Sequence, residues 1–121
     1  MSEIEILRLR KRAQFLFVRR GKTDRRKTLV VQAISRNDAK SHIGKGFTAT
    51  KKIGNAPLRN LAKRRLREAS RLLLPEYGVP GADYVFIARL DTATTRWQRL
   101  LDDMEKALIS LREPLQNRAK P

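Results

Sequence analysis

No cysteine occurs among the 121 residues, which excludes disulfide staples and thiolate-held metals and suits a reducing cytoplasm. Histidine appears once, at His42. A lone imidazole has no second histidine or thiolate with which to share a metal, and a catalytic base must also be positioned by a partner. Beside a strand it reads as structural or solvated. No apolar run approaches the ~20 residues of a membrane span. The opening "MSEIEILRLRKR" lacks a signal-peptide core, so the chain is expected to stay where it is made. Phosphate-loop, nucleophile-elbow and zinc spacings are all missing. The densest acidic group, Asp102, Asp103 and Glu105, falls on an amphipathic helix, where adjacent carboxylates point apart. It reads as a solvent face. Nothing in the polypeptide resembles a self-sufficient catalyst, and no catalytic side chain is assigned.

Acidic residues are scarce as well: 12 Asp and Glu stand against 28 Lys and Arg, a net charge of +16 with pI near 11.4. The excess is unevenly spread. Residues 1–71 hold 21 basic and 5 acidic side chains, whereas residues 72–121 hold seven of each. A general solubility device needs no such partition; a polyanion-binding face does. With 40% apolar residues the chain can nonetheless bury one modest core. A single domain is expected over residues 1–121, with its core at about 7–113 and a frayed tail at 114–121.

"SEIE" at Ser2–Glu5 matches a capping box. The pattern nevertheless favours an irregular lead-in and a first helix at about 11–20, closed by Gly21. "GKTDRRK" reads as a basic loop. "TLVVQAIS" (Thr28–Ser35) is a β-branched run of strand length, with a shorter strand possible around Arg25–Leu29. After turn chemistry at Asn37-Asp38, a second strand is expected within His42–Lys52. Its two glycines suggest a bulge or turn, and antiparallel pairing with the first strand is expected.

From Pro57 to Leu73, Leu58, Leu61, Ala62, Leu66, Ala69, Leu72 and Leu73 share one helical arc. Arg59, Lys63, Arg64, Arg67 and Arg71 share the opposite one. Asn55 can cap this helix, and Pro57 is tolerated in its first turn. Arg65 alone points into the apolar stripe, where its methylenes can pack while the guanidinium escapes. "PEYGVPG" ends the helix. "DYVFIARL" (Asp83–Leu90) is a strand covered on both faces. Thr94 or Thr95 caps a last helix, striped by Trp97, Leu100, Leu101, Met104, Leu108 and Leu111 and stopped at Pro114. The order is helix, two or three strands, helix, strand, helix: an α+β domain (α/β sandwich) with its sheet covered mainly on one side.

Five basic runs in the first three-fifths of a small domain point to nucleic acid, although any single run is more often a solvated face. Arginine suits phosphate because its planar fork donates two hydrogen bonds. Phe15 and Phe17, between "RKR" and "RR", cannot both face the core of one helix. An exposed ring there can stack an unpaired base; the alternative is that both belong partly to the core.

At "FTATKKIGNAPLRNLAKRRLREASRLL" (Phe47–Leu73) the sequence resembles the bacterial ribonuclease P protein component. The matching residues are Phe47, Thr48, Thr50, Lys51, Lys52, Gly54, Asn55, Arg59, Asn60, Lys63, Arg64, Arg67 and Glu68, and the likeness extends over about residues 7–111. It implies a central sheet of about four strands with a left-handed β-α-β crossover around the basic helix. It also implies a complex with one catalytic RNA that removes the 5′ leader of precursor tRNA with Mg2+ bound mainly by that RNA. Carried over by position, Arg12, Phe15, Arg19, Val30, Gln32, Thr48, Thr50, Lys51 and Lys52 would bind the leader. Arg59, Asn60, Lys63, Arg64, Arg67 and Arg71 would meet the RNA subunit, with Asn55 and Asn60 near RNA-bound metal. Leu61 stands where the family motif has its second arginine, which is expected to weaken RNA docking without abolishing it. Arg19 replaces a frequent aromatic, and the unusual Lys45-Gly46 is expected to displace the start of its strand. Rival readings are a small ribosomal or general RNA-binding protein, a DNA-binding module using Pro57–Leu73 as recognition helix, and an unaided nuclease.

Overall fold

The structure, a computed structural model, describes residues 4–117. The capping box at Ser2 and the last four residues of the tail lie outside them. The elements are β1 (Ile6–Arg8), α1 (Arg12–Val18), β2 (Lys22–Arg25), β3 (Leu29–Ser35), β4 (Ile43–Thr48), a 3-10 turn (Lys51–Ile53), α2 (Ala56–Tyr77), β5 (Ala82–Ala88) and α3 (Trp97–Asn117). The strands form one mixed sheet in the order β1-β4-β5-β3-β2.

The expected antiparallel pairing of β3 with β4 is wrong. β5 lies between them, parallel to β4 and antiparallel to β3. Its continuous apolar run is buried on both faces, and such a strand belongs at the centre of a sheet. β4 and β5 are therefore parallel neighbours joined through α2. Two further strands replace the expected lead-in and loop. β1 pairs in parallel with β4, and β2 pairs antiparallel with β3. Both are short, basic edge strands, a composition that discourages edge-to-edge association and carries no apolar alternation.

Alternation along β3 divides the core. Leu29, Val31 and Ala33 face α2 and α3 in the main cluster. Ile34 faces the other way and joins Leu9, Val18 and Val85 in a smaller cluster with Phe15, Phe17 and Ile87. Among the described residues, only α1 covers that second face. Both long helices run past the prolines expected to end them, α2 through Pro75 and α3 through Pro114. A proline frees the carbonyl four residues back. Those residues, Arg71 and Ser110, are exposed, so water can take the bond. Burial of Leu74 and of Leu115 beside the prolines favours continuing. α3 begins at Trp97 rather than directly at a threonine cap; Leu100 N–H donates to Arg96 O. Two leucines of the expected α2 arc, Leu58 and Leu72, are exposed.

Asp103 corrects the solvent-face reading of the acidic cluster. It is buried, and its Oδ2 accepts from Thr28 Oγ1 at 2.8 Å. Thr92 Oγ1 in turn donates to Thr28 O and accepts from Arg89 N–H. Asp102, by contrast, is exposed. His42 sits in the β3–β4 connection with Nδ1 3.3 Å from the Arg36 guanidinium; Arg36 also donates to buried Asp83 at 2.6 Å.

Arg65 leaves the apolar stripe as its position requires. Its guanidinium donates to Thr92 O at 2.7 Å and Thr95 O at 2.6 Å, and it lies 5.8 Å from the Trp97 ring centroid. It thereby ties α2 to the β5–α3 connection. Arg65→Met keeps the packing of the stem but removes both charge-assisted bonds, and should cost about 1–3 kcal/mol in a urea titration. An unchanged midpoint would show that this tie does not hold the connection.

Candidate nucleic-acid interface

The shortest helix positions the most informative ring. Gln14 Oε1 accepts from the N–H groups of Arg10 and Lys11 at 2.8 and 2.9 Å, which closes the start of α1. Val18 anchors its end with no exposure. Between them Arg12, Phe15 and Arg19 recur at helical spacing on one side. Phe15 descends onto β4 at Gly46, where an added Cβ would stand 2.6 Å from a ring carbon. The expected bulge or turn is absent, and Lys45-Gly46 does not displace the strand. Gly44 and Gly46 sit in regular register with β5, because side chains there would strike Asp83 and Leu9, or Phe15.

Phe15, Arg19, Gln32, Thr48, Thr50, Val85 and Ile87 line a cavity of about 260 Å³. Phe15 is half-buried: packed at the foot, open at the cavity. Thr50 also lines a second cavity of about 490 Å³ with Lys27, Lys52, Ile53, Ala88, Arg89, Leu90 and Asp91. The two adjoin at Thr50 and are together called the groove, one end beneath α1 and the other at the β5–α3 connection. Its walls combine apolar faces with hydroxyl, carboxamide and cationic groups, a composition suited to bases and phosphates together.

Six of the nine residues assigned to leader binding line this groove: Phe15, Arg19, Gln32, Thr48, Thr50 and Lys52. Arg12, Val30 and Lys51 do not line either cavity. Arg12 lies on the α1 stripe above, and Lys51 is exposed in the 3-10 turn. Val30, 6% exposed, pairs with Ile87 in the sheet beneath. Sequence reasoning missed Val85, Ile87, Lys27 and Arg89. The apolar run of β5 signals burial but not which alternate residues floor a groove. Lys27 and Arg89 come together only because β3 and β5 are neighbours.

The basic helix forms a separate surface. Asn55 Oδ1 accepts from Leu58 N–H at 3.0 Å, and half-buried Arg59 donates to Gly54 O at 2.8 Å. Both therefore help to build the start of α2. Asn60, Arg64, Arg67 and Arg71 are exposed and Lys63 is half-buried. Arg71 pairs with Glu68 at 2.9 Å, and the hydrogen bond from Arg71 holds the Glu68 carboxyl below the usual carboxylate range. Leu61, half-buried at the edge of the apolar stripe, occupies a packing position. The basic runs thus do not share one wall. α1 and the groove lie on one side of the sheet and α2 on the other, meeting at Lys51–Asn55.

Among the described residues, no group of three His, Asp or Glu is placed to hold a metal ion, and no helix is long and apolar enough to cross a membrane.

Comparison with known proteins adds family relationships to this geometry. A family model described as Ribonuclease P matches residues 5–112. The Ribonuclease P protein component of Caulobacter vibrioides (strain NA1000 / CB15N) is 54% identical over 104 residues, covering 86% of this chain and 70% of that protein. The Ribonuclease P protein component of Ruegeria pomeroyi is 49% identical over 108 residues, covering 88% and 86%. Among solved structures, a Staphylococcus aureus RNase P protein mutant, described as defective in mRNA degradation, superposes with a TM-score of 0.74. It shares 26% identity over 87% of each chain.

Proposed function

The chain belongs to the ribonuclease P protein family, and on that premise we propose how it serves as the protein subunit of that tRNA-maturing ribonucleoprotein. The RNA subunit docks along the basic face of α2, through Asn60, Lys63, Arg64, Arg67 and Arg71, with Arg59 bracing the helix start. The 5′ leader of precursor tRNA lies in the groove beneath α1. The observation that carries this assignment is that the two cavities share Thr50 in their walls. An aromatic wall at one end thereby joins a cationic wall at the other. Phe15 offers its ring to a base. Gln32, Thr48 and Thr50 supply hydrogen-bonding groups, and Arg19, Lys27, Lys52 and Arg89 neutralise phosphates.

The contribution is positional. A leader held at a fixed angle to the docked RNA presents the scissile bond in a reactive geometry, replacing a bimolecular search with an intramolecular one. Magnesium carried by the RNA would supply the hydrolytic chemistry. The protein residues do not fit a metal cage of their own: no group of three His, Asp or Glu among those described is placed to hold an ion, and the Asn55 carboxamide oxygen is committed to its cap. The place of action is the cytoplasm, where tRNA precursors are made and reduced chains persist.

The test is a reconstitution. Added to its cognate catalytic RNA at low magnesium, the chain should accelerate 5′ maturation of precursor tRNA; cleavage indifferent to protein would overturn the reading. For about four leader phosphates, log affinity for the leader should fall against log salt with a slope of about −3. Arg64→Ala should weaken assembly with the RNA subunit while leaving leader discrimination unchanged. Loss of discrimination with normal assembly would reverse the assignment of the two faces.

A further inference from the structure

Position 45 breaks a pattern that the rest of β4 keeps. Ile43 and Phe47, its neighbours on the same side of the strand, both pack in the main core. Lys45 lies between them and is half-buried. Burying a lysine in such a place disfavours its charge. Its surroundings add to the cost. Across the sheet Lys45 is in register with Arg8 of β1, and Arg67 and Arg71, one helical turn apart on α2, lie close enough for their charges to act on Lys45. Burial, reinforced by these three arginines, holds the Lys45 ammonium below the usual lysine range. Glu68 is paired with exposed Arg71. Among the described residues, no carboxylate lies within ion-pair distance of Arg8, Lys45 or Arg67.

Four cations gathered with so little acidic compensation destabilise the free chain and stabilise a bound anion. We propose that Arg8, Lys45, Arg67 and Arg71 form a phosphate-binding station at the β1–β4 edge for the backbone of the RNA subunit. The inference rests on the family reading and extends it, carrying the RNA footprint from α2 onto the sheet. The occupant is the RNA subunit rather than the leader because of the pleat. Gly44 and Gly46 look toward α1 and the groove, whereas Lys45 looks toward α2. A strand lying in the groove is separated from the station by the sheet itself.

Lys45→Met retains most of the unbranched stem of the side chain and removes its charge. Melting of the free protein should be unchanged or raised. Assembly with the cognate catalytic RNA should weaken, and its log–log salt slope should become shallower by about one. Lys45→Arg should retain the wild-type slope. A wild-type slope in Lys45→Met, or a loss confined to precursor tRNA binding with normal assembly, would overturn the station. Should Lys45→Met melt early, Arg8→Gln on the exposed edge strand provides the same readout, with the same slope change expected. Failure of the wild-type chain to bind the RNA at all would instead remove the underlying family-based reading.

Discussion

Asp103→Ala should lower the melting temperature by roughly 10 °C. Removing the carboxylate strands the Thr28 hydroxyl and leaves the Thr28 N–H without its 3.4 Å acceptor, at a residue only 1% exposed. Leaving such donors unpaired costs about 2–3 kcal/mol, and for a domain of this size each kcal/mol moves the midpoint by several degrees. Asp103→Asn, which keeps an acceptor oxygen at the same place, should lose much less. The effect should reach the groove as well. Thr28 leads into β3 next to Lys27, and Thr92 follows Arg89, Leu90 and Asp91, so the network holds the cationic end in shape. Differential scanning calorimetry of the two variants decides the matter. An alanine variant melting within ~2 °C of wild type would show that these bonds do not hold the groove's end.

Phe15→Ala should weaken precursor tRNA binding roughly 5- to 150-fold, the range spanned by about 1–3 kcal/mol for one base stacked on an aromatic ring, with mature tRNA binding unchanged. Because Phe15 also packs against the smaller core cluster, a second variant separates stacking from stability. Gly46→Ala leaves the ring in place chemically but sets a methyl 2.6 Å from its edge. The ring must then shift from its place, altering the space in which a base would stack. Precursor affinity should fall in this variant although the aromatic residue is retained. Equal losses for precursor and mature tRNA in both variants would remove the leader from the groove.

Much of this arrangement is written locally. The 3.6-residue apolar period specifies α2 and α3, the β-branched run specifies β3, and the unbroken apolar run specifies β5, because each pattern states how many faces of one element must leave water. The charge partition likewise marks the basic half of the molecule, and the groups that would serve an RNA-binding face, before any fold is known. The escape of Arg65 was legible too: a charged head in an apolar stripe must find carbonyls or solvent.

What sequence alone could not decide were relations between distant elements. A strand's pattern does not name its neighbour, so the position of β5 between β3 and β4, and the edge strands β1 and β2, follow only from closing the whole sheet. Helix ends do not fall at Pro75 and Pro114 because core contacts of Leu74 and Leu115 with distant elements outweigh one lost backbone bond. Asp103 reads as a solvent residue until Thr28, 75 positions away, supplies its donor. The groove is of the same kind. Phe15, Thr50, Lys27 and Arg89 share no local pattern; only the order of strands brings them side by side, and only the pleat sends Lys45 to the opposite face from Gly46. Periodicity records which sides of an element must be buried, whereas a site depends on which elements meet, and that is settled by the packing of the complete chain.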